Sequence, residues 1–296
     1  MKRLPELIAF VVFGVMFVAL SPSCTPTPEG ESVLSGKITV VCDESAYPLV
    51  KAEVDTFMKL YTKAIIAVEP KSTREALADL YNQGARLAVT NRELTEEEAR
   101  IALENKIKPV AYKFAVEAVA FVVNPANRDS EMTVEALAKV LSGEVKDWGK
   151  VGKGKGPILV VLRNENFGDY EFVKKEILLG KDYAKEVYKV NNTEQVLETV
   201  AKEKGAIGIV GMTWINDKVK PLALKRAEED KFWKPDIEGI HYRTYPVLRF
   251  LYFYHRGEAE KLASGFITYV TSTEGQKVAY NNGYYPATAP TTTGEH

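Results

Sequence analysis

Apolar positions follow two alternating rhythms along this chain. Short β-branched runs, "KITVVC" (37–42), "AIIAVE" (64–69) and "RLAVT" (86–90), are followed in turn by "YPLVKAEVDTFMKLY", "STREALADLY" and "TEEEARIALENK". The second group has apolar residues at helical spacing, with Val50, Val54, Phe57 and Tyr61 on one stripe of the first. Ser72 with Glu75, and Thr95 with Glu98, have the spacing of capping boxes, in which side chains satisfy the free donors of a first helical turn. The alternation predicts α/β organisation with buried, largely parallel strands.

A second block begins at "EAVAFVVNP" (117–125). It continues with a helix "TVEALAKVLSG" capped at Gly143, the strand "ILVVLR" (158–163), helices over "EFVKKEILL" and "TEQVLETVAKEKG", and the apolar strand "AIGIVG" (206–211). A third block holds the aromatic strand "YPVLRFLYFYH" (245–255), a helix "EAEKLASGFITYVTS" and a Gly- and Tyr-rich finish. No repeat of fixed period is present. This order predicts two lobes with the chain crossing between them and a small-ligand cleft at their junction. The run "GKVGKGKGP" (149–157) lacks the P-loop pattern and precedes a strand, so it reads as a solvated loop.

The N-terminus changes the picture of where the protein resides. A basic start, an apolar stretch from Leu7 to Leu20 and small residues before Cys24 read as an export signal, the apolar run falling short of the roughly 20 residues that span a bilayer. The following "TPTPEG" is suited to an extended tether. After Cys24 only Cys42 remains, so no disulfide framework is expected in the mature chain. The three histidines, His241, His255 and His296, have no ligand-spaced partners, so neither a metal site nor a cofactor is expected. With 46% hydrophobic and 27% charged residues and a formal net charge of -1, the chain is globular and carries no field for nucleic acid. No nucleophile and base are visibly paired. Asp43 and Glu44, adjacent in an extended segment, are expected to point to opposite faces. The chain is not expected to be an enzyme.

Six segments in order carry a resemblance: "YPLVKAEVDTF", "NRELTEEE", "AVAFVVNPANRD" with "MTVEALAKVLSGEVKDWGKVG" (Ser142, Gly143, Trp148), "GAIGIVG", "YPVLRFLYFY" and "TSTEGQKVAYNNGYYP". Together they resemble the phosphate-binding proteins of Pst ABC transporters, two-lobed periplasmic solute-binding proteins. The stretch before Cys24 likewise resembles a lipobox, with Ser21 and Pro22 at unusual positions. The resemblance implies a type II periplasmic-binding-protein fold, each lobe a mixed sheet flanked by helices. Its implied segments are a signal at 1–23, a lipidated Cys24 with a tether to 35, a first lobe at 36–115, a second at 116–218, a return to the first at 219–290 and a tail at 291–296. It implies a monomeric lipoprotein at the periplasmic face that captures phosphate or a related oxyanion and hands it to a permease. Two alternatives keep the fold: a different small solute, or an envelope interaction or sensory role without phosphate capture.

Carried over residue by residue, the family arginine falls on Arg163 and its S-G-T triplet on Phe167, Gly168 and Asp169. The first anion loop falls on "CDES", leaving Ser45 beside Asp43 and Glu44, and the second on "PKSTRE", leaving Ser72 and Thr73. The carboxylate segment falls on "VTNRE", with Thr90, Asn91 and Arg92. These nine residues, Asp169 among them, form the expected ligand set. Two readings stay open: Asp169 is either a cleft group or a helix cap, and Arg163 is either an anion ligand or the partner of Asp169 or Glu165.

Overall fold

The computed structural model describes residues 30–287. The export signal, Cys24 and the tail at 291–296 lie outside the described residues. Elements follow in the order β1 (Gly36–Asp43), α1 (Tyr47–Leu60), β2 (Ala64–Lys71), α2 (Thr73–Tyr81), β3 (Leu87–Thr90), α3 (Glu96–Glu104), β4 (Val110–Val123), β5 (Glu131–Thr133), α4 (Val134–Leu141), β6 (Leu159–Arg163) and α5 (Gly168–Glu176). Then come β7 (Tyr188–Val190), α6 (Thr193–Lys202), β8 (Ala206–Gly211), β9 (Lys220–Pro221), β10 (Ala223–Lys225), α7 (Ile237–His241), β11 (Leu248–His255), α8 (Lys261–Thr271), α9 (Thr273–Asn281) and β12 (Tyr285–Pro286).

The strands run in the order β2-β1-β3-β11-β4-β8-β6-β7. The β1, β2 and β3 ladders are parallel, as are those of β6 with β7 and β8, whereas β11 and β4 run antiparallel to their neighbours. Strand β4 is the hinge of this arrangement. Its Val110–Ala118 half pairs with β11 and its Val119–Val123 half with β8, so one 14-residue strand belongs to both lobes. It therefore starts well before Glu117, where the apolar run alone placed it, because "VAYKF" alternates half-buried and exposed positions as a half-covered strand does.

Each lobe has its own core. In the first, the α1 stripe of Val50, Val54 and Phe57 packs with Phe253 of β11 and Phe266 of α8, Phe57 meeting Phe266 edge to face at 5.4 Å. Ala76, Leu77 and Leu80 of α2 cover the other face of this sheet. In the second, Phe121, Leu137, Trp148 and Val173 form one face and Val196 and Val200 of α6 the other. Residues 219–247, expected with the first lobe, place Leu222, Leu224, Ile240 and Tyr245 in the second core instead, and the chain rejoins the first at Leu251 and Phe253. The end of the expected tether is also docked: Glu31 pairs with Arg86 and Lys261, and Ser32 bridges Ser35.

Both expected capping boxes form, at Ser72 with Glu75 and at Thr95 with Glu98, and Gly143 takes the left-handed conformation (φ +74°) after α4. The Gly- and Lys-rich loop turns its backbone inward: Lys153 and Gly154 donate to the Asp129 carboxylate at 2.6 and 3.1 Å.

Candidate functional site

The C-terminal ends of β1, β3 and β6 and the N-termini of α2, α5 and α6 meet between the lobes, where parallel strands stop and helix starts offer unpaired N–H groups. Residues from these ends build one buried polar cluster. At its centre is the carboxylate of Asp43, fully buried. One of its oxygens accepts from the Ser45 backbone N–H (3.0 Å), the Ser45 hydroxyl (2.7 Å) and the Asn91 amide (3.1 Å). The other accepts from the Thr73 hydroxyl and the Gly168 N–H, the latter at 3.3 Å. Arg163 of the second lobe stands 3.6 Å away. The Asp43 carboxylate thus collects the donors that an oxyanion would need, from both lobes.

Asp169 and Glu44 complete the cluster. Asp169 receives Arg163 on one oxygen and Arg249 on the other, and Asn91 donates to it at 3.0 Å. It does not cap α5, which starts with no side-chain cap, so the ion-pair reading of Arg163 and Asp169 replaces the capping one. Glu165 plays no part and pairs with Lys189 at 2.7 Å. Glu44 reaches across to the start of α6, accepting from the Thr193 N–H and hydroxyl, each at 3.0 Å, and from Arg163 at 3.0 Å. Asp43 and Glu44 therefore do not diverge as alternation predicted. The strand ends at Asp43, a 3-10 turn begins at Glu44, and both side chains reach Arg163.

Of the nine expected residues, Ser45, Thr73, Asn91, Arg163, Gly168 and Asp169 meet in this cluster. Three are spent elsewhere. The Ser72 side chain serves its capping box, the Thr90 hydroxyl donates to the Arg92 carbonyl (2.6 Å), and Arg92 forms a bidentate pair with Glu98 at 2.7 and 2.8 Å. Phe167, where the resemblance places a hydroxyl, lies with its ring face 4.3 Å from the Arg163 guanidinium carbon. Gly168 admits no side chain, since a Cβ there would lie 1.7 Å from Asn91 Oδ1.

Two further charges were missed. Glu117 of β4 and Arg249 of β11 are buried together, with Arg249 donating from Nε at 3.0 Å and a terminal nitrogen at 2.7 Å. Each is a lone charge inside an apolar strand run, and a charge so placed requires a mate. That signal was present in "AVEAVAF" and "VLRFLYF".

The electrostatics follow from this packing. Burial pushes the Asp169 carboxyl up, but the guanidiniums of Arg163 and Arg249 outweigh it and hold the group down at about 2. Burial dominates for Glu117 and raises it despite Arg249. Four carboxylates face two guanidiniums, a formal excess of two negative charges offset only by helix starts and hydroxyls. A further negative charge about 4 Å away costs on the order of 4 kcal/mol at an effective dielectric near 20. The Asp43 carboxylate stands where the donors of both lobes converge.

Residues 27–274 match the PBP superfamily domain. The sequence is similar to the phosphate-binding protein PstS of Pseudomonas aeruginosa, 27% identical over 98% of this chain and 96% of that protein. It is also 27% identical to PstS of Bacillus subtilis, over 90% of this chain and 86% of that protein. In fold it is similar to a Clostridium perfringens chain described as a phosphate ABC transporter substrate-binding protein with bound phosphate (TM-score 0.74, 16% identity, 86% of this chain and 100% of that one). It is likewise similar to an ABC-type phosphate transport receptor from Vibrio cholerae (TM-score 0.68, 23% identity, 85% and 100%). Two lobes joined through shared strands, with parallel strand ends and helix starts meeting between them, agree with that match: the chain belongs to the PBP superfamily and is PstS-like.

Proposed function

We propose that this protein is the substrate-binding component of an ABC transporter, capturing phosphate or a related oxyanion between its lobes and delivering it to a permease. It is a monomeric, non-enzymatic lipoprotein in this reading, held at the periplasmic face of the envelope through Cys24. The observation that carries the reading is the convergence of hydroxyl, amide, backbone N–H and guanidinium donors from both lobes on a single oxyanion group. A cradle of this composition suits an anion without any metal.

A second reading has one observation in its favour: the oxyanion place is already taken by Asp43, and Arg163 is already matched by Asp169. In that reading the fold persists as an envelope interaction or sensory protein without solute capture, or with a different cargo. Titration calorimetry with inorganic phosphate separates the two. Saturable heat supports capture; no heat and no thermal shift at millimolar phosphate, in the wild type and in Asp43→Ser alike, refutes it.

A further inference from the structure

We infer that Asp43 is a tethered occupant of the oxyanion cradle. It is a built-in competitor that draws the lobes together without solute and raises the oxyanion concentration needed to fill the site. The inference rests on the oxyanion-capture reading above and adds the regulation of that same site.

Three features carry it. First, the contacts of Asp43 bridge the lobes as a bound solute would. Ser45, Thr73 and Asn91 come from the first lobe, and Gly168 and Arg163 from the second. The neighbouring Glu44 adds a second bridge to Arg163 and Thr193, while the Ser45 carbonyl accepts the Trp214 indole N–H at 3.1 Å. Away from the cluster the Arg74 N–H donates to the Asn166 carbonyl at 3.1 Å, and Arg74 pairs with Glu171 at 3.3 Å, so the closed arrangement extends past the cradle.

Second, the fit is incomplete. Asn91 Oδ1 and Arg163 Nε are buried without partners among the described residues. A carboxylate offers two oxygens and no hydrogen, so it can satisfy neither an orphan acceptor nor every donor present. A tetrahedral oxyanion that keeps a proton offers both more acceptor oxygens and an O–H for Asn91. The cradle is therefore built for a fuller group than the one occupying it.

Third, charge limits which solute can displace it. The Asp43 carboxylate stays tethered beside the cluster when it turns aside, so a singly charged oxyanion adds least to the formal excess and a doubly charged one adds more. Asp43 is the last residue of β1 and leads directly into a turn, so rotation of its side chain leaves the β1 ladder intact. While Asp43 is in place the site is not competent, and the apparent affinity for a solute is reduced by the competent fraction. Phosphate as a protonated monoanion is the ligand class that best displaces it.

The test uses the purified wild type, Asp43→Ser and Asp43→Asn. Calorimetry with inorganic phosphate reads affinity, and small-angle X-ray scattering without phosphate reads closure. Asp43→Ser is expected to bind phosphate at least tenfold more tightly than the wild type, to be more open when ligand-free, and to close on adding phosphate. Asp43→Asn keeps the shape but not the charge and is expected to gain affinity to a smaller degree, which keeps the test available where the serine variant folds poorly. Equal or weaker binding by folded variants, or a ligand-free Asp43→Ser as closed as the wild type, overturns the inference. Opening of Asp43→Ser with no phosphate bound by any of the proteins upholds the latch and instead refutes oxyanion capture.

Discussion

Replacing Arg249 by Met tests whether the buried charges between the lobes depend on one another as their geometry implies. Arg249 is 2% exposed and serves two carboxylates, Glu117 through two nitrogens and Asp169 through a third. Asp169 keeps Arg163 and Asn91 when Arg249 is lost. Glu117 keeps only a Thr213 hydroxyl at 3.4 Å, in a position with no exposure to water. Breaking a buried pair by removing one partner costs about 3–5 kcal/mol. At roughly 2–4 °C per kcal/mol, the melting temperature should fall by on the order of 10 °C. The abandoned Glu117, already raised by burial, will take up a proton instead of remaining charged. An acid whose folded pKa is raised binds more protons folded than unfolded, so the stability of the variant should decline as pH rises above about 4.3, more steeply than that of the wild type. The assay is thermal unfolding by circular dichroism across pH, with Glu117→Leu, Arg249→Met and the double variant forming a cycle. Removing both charges leaves no uncompensated group, so the double variant should regain more than half of the loss. A double variant as unstable as Arg249→Met alone would refute the reasoning, because the burden would then lie with Asp169 and not with Glu117.

Two further predictions address other parts of the molecule. Gly168→Ala should hold the lobes apart, since its Cβ would meet Asn91 Oδ1 at 1.7 Å and Thr73 Oγ1 at 2.7 Å; scattering should show an open form, and an unchanged profile would sink the idea. Glu53 of α1 is fully buried with neither carboxylate oxygen partnered among the described residues, and burial pushes it up to about 9. It is protonated in the folded state at neutral pH and ionised in the unfolded one, so its cost grows from about pH 4.3 and is greatest above pH 9. Glu53→Gln should then stabilise the protein at pH 8 by on the order of 3 kcal/mol and flatten its pH dependence, and an unchanged melting temperature would count against a buried neutral carboxyl.

How far the site could be read from the residues depended on whether a position's role is local or distant. The helix starts at Ser72 and Thr95 were legible because a capping box is complete within four residues, and for the same reason their hydroxyls were never free for a ligand. Thr73, one position on, has no local duty and reaches Asp43. The hinge was not legible as one element. An apolar run reports burial, whereas β4 begins in a half-exposed stretch whose rhythm differs from that of its buried end. Glu117 and Arg249 lie 132 positions apart on antiparallel partners, and no local pattern states that one answers the other. What the residues did state is that each stands alone in an apolar strand, and two such charges of opposite sign in one fold have few places to go except to each other. The same logic extends to Asp43. A carboxylate where the resemblance leads one to expect a hydroxyl leaves two outcomes, to face away or to occupy the anion's place, and the donors around it decide for the second. Asp43, Asn91, Arg163 and Asp169 therefore act as one set: the neutral Asn91 amide donates to both carboxylates, and Arg163, with Phe167 against its face, pairs with Asp169. Arg163 Nε aside, the donors that an oxyanion would need are met by the carboxylates of Asp43, Glu44 and Asp169, so under the proposed reading a captured oxyanion enters by displacing one of them.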